Sequence, residues 1–291
     1  MKIPTNRLRS VIGYIREELH DYYDTEEIEN FIFYLANFFL GFSRTDLVLK
    51  KEDTMSESVL LKFNAAIKDL KKYKPIQYII GSTEFYGIPL KVNSHVLIPR
   101  PETEELVDLI VKESVRLNRD TISILDIGTG SGCIAIALKK NIYSSAVFAI
   151  DISEKALELA VENARMNSTE ISFILADILQ SPTIQEEPMF DVIVSNPPYV
   201  RNSEKQSMSK NVLDYEPHLA LFVGDTDALL FYKSIVKFAD KYLKNTGKLY
   251  FEINEDMANQ MQAMVEEKGY GNSRIIKDLS GKNRILVCSK F

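Results

Sequence analysis

Cysteine is nearly absent: Cys133 and Cys288 are the only two in 291 residues. That is too few for a disulfide framework, and their spacing matches no metal-ligand pattern. Both read as small buried hydrophobes, so a cytoplasmic setting and no metal are expected. An excess of basic charge is missing too. With 35 Lys and Arg against 41 Asp and Glu, the net charge is −6, which argues against a protein whose main partner is bare duplex DNA. No direct DNA binding is expected. A long apolar run is also lacking: "FIFYLANFFLGF" is too short to span a bilayer and Asn37 interrupts it, so no membrane partner is expected. The opening "MKIPTNRLRSVIGYIREELHD" is charged throughout, without the apolar centre of a signal peptide. Histidines number three, and neither His95 nor His218 has an identifiable catalytic partner. Both read as loop or edge residues.

What the chain does have is core: 45% of its residues are hydrophobic, enough for a large domain and a small one. Residues 1–74 carry helical patterns. These are "RLRSVIGYIREELH", then "TEEIENFIFYLANFFLGF", with Thr25 as cap and Glu26 and Glu27 on the helix dipole, then "TMSESVLLKFNAAIKDLKKY". A small helical bundle is expected. Residues 75–95 place β-formers on either side of Gly81 and Gly87, the pattern of a hairpin linker. Residues 96–291 form the second domain. From about Thr121 the strand-like segments "TISILDIG", "AVFAID", "ISFILAD", "FDVIVSN" and "GKLYFEI" alternate with helical ones. Alternation of this kind specifies an α/β fold, doubly wound around a mainly parallel sheet.

Ligand chemistry collects at the strand ends. In "ILDIGTGSGCIAIALKK", Gly128, Gly130 and Gly132 permit backbone angles and close approaches that a Cβ forbids, next to the free N–H groups of a helix start. The spacing is G-x-G-x-G, which is not the dinucleotide fingerprint, and a structural tight turn also accounts for the glycines alone. The following strand ends in Asp151, where a carboxylate can accept two ribose hydroxyls. Asp177 ends the third in the same manner, and it or the backbone around Ile178 can meet an adenine amino group. A fourth strand end reads "VIVSNPPYV". Two prolines stop the ladder there and hold Asn196 in extended geometry at the sheet edge.

The order "DIGTGSG", Asp151, Asp177, "NPPY" resembles the class I S-adenosylmethionine-dependent methyltransferases that act on exocyclic or amide nitrogens. "GFSRTDLVL", "PIQYIIGSTEFYGIPLKVNSHVLIPRPETEELV", "LDYEPHLALF" and "SGKNRILV" extend the resemblance over nearly the whole chain, to the peptide-chain-release-factor glutamine N5-methyltransferases. One departure is "FEIN" after the fifth strand, where the family pattern has glycine after the isoleucine. The resemblance implies a Rossmann-like seven-stranded methyltransferase domain, with "NRILVCS" antiparallel near the edge. A small helical bundle for substrate recognition and a β-hairpin linker would precede it. It implies S-adenosyl-L-methionine as cofactor, held by Asp126, Gly128, Thr129, Gly130, Ser131, Gly132, Asp151, Ile152, Asp177, Ile178 and Asn196. Arg100 and Thr103 of "IPRPET" would line its methionine end. For Arg100, Pro101 and the glutamates after them, the start of an amphipathic helix is also a sufficient structural account. Asn196, Pro197, Pro198 and Tyr199 would bind substrate and carry catalysis. The substrate would be the glutamine of the Gly-Gly-Gln loop of a class 1 release factor, the product S-adenosyl-L-homocysteine, and the enzyme a monomer.

Amide chemistry gives "NPPY" a reason. A primary amide nitrogen is a poor nucleophile because its lone pair is delocalised into the carbonyl. If the Asn196 side-chain oxygen and the Pro197 carbonyl each accept one N–H, the nitrogen can pyramidalise and its growing positive charge is stabilised. Pro198 stiffens the turn, and the Tyr199 ring can favour the cation through its π face. Three alternatives stay open at the level of sequence: a nucleic-acid amino methyltransferase acting on a flipped adenine, another protein glutamine as target, and a cofactor-binding scaffold without activity.

Overall fold

The computed structural model describes residues 5–115, 121–184 and 189–290. The first four residues of the charged N-terminal stretch lie outside them. Apolar residues three and four apart produce the helices α1 (Leu8–Leu19), α2 (Thr25–Leu40) and, after the short α3 (Arg44–Leu49) opened by a Ser43–Asp46 capping box, α4 (Glu57–Leu70). Helix α1, for instance, buries Leu8, Val11, Ile12, Ile15 and Leu19 against a core that includes Phe31, Leu35, Phe63 and Leu70. The cap of α2 differs from expectation. Asp24 caps it, accepting from the Glu27 N–H at 2.8 Å, and Thr25 is the first helical residue. An aspartate one position upstream reaches the same orphan donor and adds full charge at the dipole's positive end.

The segment 75–95 is divided. "IQYII" forms a short helix α5 (Ile76–Ile80) between Pro75 and Gly81, where β-strand had been expected. Burial overrides β-propensity here: Ile76 is buried, and Ile79 and Ile80 pack against the helical core. The hairpin follows as β1 (Ser82–Phe85) and β2 (Ile88–Lys91), antiparallel around Tyr86 and Gly87. Both turn residues have positive φ, 52° and 71°, as a two-residue hairpin turn requires. The chain separates into two compact units at this point. One comprises Met1–Gly81 with Ser209–Tyr215; the other comprises Ser82–Met208 with Glu216–Phe291.

The second unit runs α6 (Pro101–Val115), β3 (Ile122–Ile127), α7 (Cys133–Asn141), β4 (Ser145–Asp151), α8 (Glu154–Met166), β5 (Ser172–Leu175), β6 (Phe190–Ser195) and β7 (Val200–Arg201). The short α9 (Lys210–Tyr215) belongs to the first unit. Then come α10 (His218–Leu221), β8 (Phe222–Val223), α11 (Leu230–Tyr242), β9 (Leu243–Glu252), α12 (Ala258–Glu267), β10 (Tyr270–Lys277) and β11 (Asn283–Lys290). Seven strands form one sheet in the order β10-β11-β9-β6-β3-β4-β5. As expected for "NRILVCS", β11 is antiparallel to both neighbours and lies one place from the edge.

Side chains alternate between two apolar layers along each strand. Leu125, Ile127 and Ile193 pack with α11 and α12 on one face. Ile124, Val192 and Val194 pack with α6 and α7 on the other. All six residues of β6 are buried, since helices cover both faces of this interior strand. Among the described residues, no helix is long and apolar enough to cross a membrane.

Candidate active site

The parallel strands β6, β3, β4 and β5 are neighbours, so their carboxyl ends converge on one edge. A cavity of about 280 Å³ opens there, on the scale of a nucleoside-sized ligand. Its lining includes Arg100, Thr103, Gly128, Thr129, Gly130, Ser131, Asp151, Ile152, Asp177, Ile178, Asn196, Pro197 and Pro198. Three of the residues singled out from sequence, Asp126, Gly132 and Tyr199, are absent from that lining.

The loop after β3 is held from below and from the side. Gly128 and Thr129 donate their N–H groups to the Ile150 carbonyl at 2.8 and 3.0 Å, and Gly132 donates to Thr129 O at 2.9 Å. Gly128 and Gly130 have φ of +76° and +55°, and a Cβ on either would meet nothing within 4 Å. Open space there belongs to the cavity. Gly132, at φ +81°, differs, because a Cβ would come within 3.2 Å of both Ala160 and Ile136. It fits α7 against α8. Asp126 is fully buried beneath the loop and accepts from Thr129 Oγ1 at 2.6 Å. Burial, with a smaller push from Asp151, raises its pKa to about 7 against the lowering effect of the Thr129 hydroxyl and the Ala135 N–H.

Asp151 ends β4 with one oxygen accepting from Gly130 N at 2.8 Å and the other from Ser153 N at 2.9 Å. Burial raises its pKa and these backbone donors oppose the rise. Asp177 lies beyond the end of β5, which closes at Leu175, and caps a single 3-10 turn by accepting from Leu179 N at 2.9 Å.

The "NPPY" segment leaves β6 at Ser195, whose hydroxyl donates to Ile127 O at 2.6 Å and ties the ends of β6 and β3 together. Asn196 donates from Nδ2 to Thr103 Oγ1 at 3.3 Å, and Thr103 in turn donates to Glu252 Oε2 at 2.7 Å. The Tyr199 hydroxyl donates to Glu252 Oε1 at 3.4 Å, while its ring packs on the apolar layer beneath. Arg100 donates to Glu216 Oε1 at 2.6 Å, and Ile98 N to Glu216 Oε2 at 3.4 Å. Glu216 therefore anchors the segment ahead of α6.

Glu252 had no role assigned from sequence, and Glu216 with Pro217 reads from sequence as part of a loop after "NPPY" that either folds over the substrate or only connects elements. Glu252 carried a usable signal: it is the polar end of an apolar run, as Asp151 and Asn196 are. For Glu216 the pairing with Arg100 was not legible, since only the tertiary arrangement brings the two together. His95 lines the cavity as an exposed residue, its N–H bound to Asn93 Oδ1 at 2.9 Å.

A glycine loop, a carboxylate on the next strand and an asparagine-proline terminus on an interior strand of a seven-stranded sheet define a Rossmann-like methyltransferase. The Methyltransferase small domain model matches residues 106–216, and the PrmC N-terminal domain model matches residues 11–81. Relatives named release factor glutamine methyltransferase include one from Flavobacterium psychrophilum, 48% identical over 93% of this chain and 94% of its own. Another, from Bacteroides thetaiotaomicron, is 44% identical over 97% and 100%. The chain belongs to the release factor glutamine methyltransferase family. Among solved structures, the 16S rRNA N2 G1207 methyltransferase of T. thermophilus, in complex with AdoMet and guanosine, shares the fold. It does so at 16% identity with a TM-score of 0.52, over 72% of this chain and 50% of that one. The residues present suit the S-adenosylmethionine that methyltransferases use. Asp151 spends one lone pair of one oxygen on Gly130 of the loop and one of the other on Ser153 at the start of α8, and keeps others for hydroxyl donors.

Proposed function

We propose that the protein methylates the N5 nitrogen of a glutamine side chain in the Gly-Gly-Gln loop of a class 1 peptide chain release factor. S-adenosylmethionine is the methyl donor and S-adenosylhomocysteine the product. One observation carries the reading: a single cavity joins the glycine loop and Asp151 to the acceptor pair Asn196 and Pro197. Such a space brings an adenosyl ligand and a primary amide within reaction distance. The names of the relatives support the release factor as the amide's source.

In this reading Asp151 accepts the ribose hydroxyls, and Asp177 with Ile178 borders the adenine. Arg100 and Thr103 line the methionine end. When bound, S-adenosylmethionine supplies an electrophilic methyl group. Asn196 Oδ1 and the Pro197 carbonyl each accept one N–H of the substrate amide. With both hydrogens held, the nitrogen lone pair leaves conjugation with its carbonyl and turns into the cavity. The same two acceptors stabilise the positive charge that develops on nitrogen. Proline suits this position because, lacking an N–H, it offers only an acceptor on a stiff backbone. Pro198 adds stiffness, and the Tyr199 ring, packed on the apolar layer beneath, supports the segment from below. The proton leaves to water, since a cationic amide nitrogen is strongly acidic. The helical unit recognises the release factor, and the enzyme works as a cytoplasmic monomer.

Incubation with labelled S-adenosylmethionine and either release factor or an oligonucleotide tests the reading. Label on the Gly-Gly-Gln glutamine, located by peptide mass spectrometry, is the expected result. Asn196→Ala lowers turnover by about 10²- to 10³-fold, the usual cost of one preorganised polar group. Label in nucleic acid alone, or full activity of the alanine variant, overturns it.

A further inference from the structure

Glu252 is a carboxylate 2% exposed at the end of an interior strand. Burial raises its pKa, while the Thr103 hydroxyl and the charge of Arg284 oppose the rise. Taking a carboxylate out of water is costly, so one retained this deep calls for an account. Among the described residues an ion pair does not provide it: the Arg284 Nε donates to Asp278 Oδ2 at 3.1 Å. Among the described residues, the side-chain donors bound to Glu252 are two hydroxyls, those of Thr103 at 2.7 Å and Tyr199 at 3.4 Å. Its own backbone carbonyl is fixed by the Tyr232 hydroxyl at 2.9 Å. The register pairs Ser195 with Phe251, so Asn196 and Glu252 are the next residues on adjacent parallel strands.

A hydroxyl has one hydrogen. Thr103 spends its hydrogen on Glu252, which is acceptor-only when ionised, so toward Asn196 the hydroxyl can only accept. The Asn196 carboxamide is therefore oriented with Nδ2 toward Thr103, and Oδ1 is left as the free acceptor. If the amide were flipped, Oδ1 and the carboxylate would compete for a single proton, and a buried charge would lose a donor.

We infer that Glu252 is a positioning residue which, through Thr103, sets the polarity of the Asn196 carboxamide so that its oxygen, and not its nitrogen, is offered to the substrate amide. The inference rests on the proposed role of Asn196 as acceptor. Glu252 is absent from the cavity lining. It acts by excluding the orientation in which two N–H groups would face each other.

Glu252→Gln tests this, since a glutamine side chain can donate to Thr103 as well as accept and so admits both amide orientations. Two readouts are needed. Steady-state kinetics with release factor is expected to show kcat reduced about 10- to 100-fold, with KM and S-adenosylmethionine affinity within about twofold of the parent. Nuclear magnetic resonance of isotope-labelled asparagine, with Asn196 assigned by its absence in Asn196→Ala, is expected to show the Asn196 side-chain NH₂ pair protected in the parent. That protection is lost in Glu252→Gln.

Thr103→Val breaks the same link without touching the carboxylate and serves if Glu252→Gln misfolds. Thr103→Ser, which restores the hydroxyl, is expected to recover the turnover and protection that Thr103→Val loses. Parental kcat and unchanged Asn196 resonances in Glu252→Gln and Thr103→Val overturn the inference. If the parent leaves release factor unmethylated while the variants still alter the Asn196 signals, the functional reading falls and the positioning role stands.

Discussion

At the scale of single residues, two carboxylates next to the same loop, one buried and one partly exposed, do different work. Asp151 faces the cavity with its backbone donors already in place. Asp151→Ala is expected to weaken S-adenosylmethionine binding by about 2 kcal/mol, the order of a lost hydrogen bond to a charged group, with the fold retained. Unchanged affinity by calorimetry, with an intact far-UV spectrum, would remove it from the site. Asp126 is outside the cavity lining and fully buried, with its pKa raised to about 7. A carboxyl raised in the fold stabilises while neutral, so its contribution is complete below the ordinary carboxylate range and is lost as pH rises through about 7. Asp126→Asn stays neutral at every pH. Its melting temperature relative to the parent should therefore climb between about pH 5 and about pH 8, and a constant difference would contradict the assignment.

At the scale of elements, the loop between β3 and α7 separates two uses of glycine. Both Gly130 and Gly132 sit at positive φ, so alanine at either costs about 1–2 kcal/mol of backbone strain. At Gly132 the new methyl also meets Ala160 and Ile136 at 3.2 Å. Gly132→Ala should accordingly lose more stability than Gly130→Ala. Cofactor affinity should rank the other way for the protein that remains folded, because the Gly130 methyl enters the cavity. Thermal unfolding with calorimetric titration checks both orders. The strand patterns that located this loop were legible because period-two alternation and full burial are local properties of sequence. Helix α5 was not legible: its "IQYII" has strand propensity, and only the core it packs on decides otherwise.

For the whole molecule, each unit carries its own apolar core, that of the first including Leu35 at 0% exposure. Leu35→Ala should destabilise the helical unit by about 2–5 kcal/mol, the cost of lost burial plus a cavity. S-adenosylmethionine affinity under folding conditions should not change, because the cavity lining lies wholly in the second unit. Denaturant unfolding and calorimetry together test this. A parallel fall in affinity would show that the units are energetically one.

The sequence by itself determined where the chemistry sits along the chain. Glycines that need positive φ, a carboxylate closing an apolar strand and prolines ending another are each short-range consequences of steric limits and hydrogen-bond inventory. Tertiary structure alone decided how the Asn196 amide is turned. Thr103 and Asn196 are 93 residues apart, and Thr103 and Glu252 are 149 apart. Their contact depends on the register of β6 against β9 and on the packing of α6 over them. A hydrogen bond of this kind is set by where two distant backbones are placed in a dry interior, and no local pattern of residues encodes that distance.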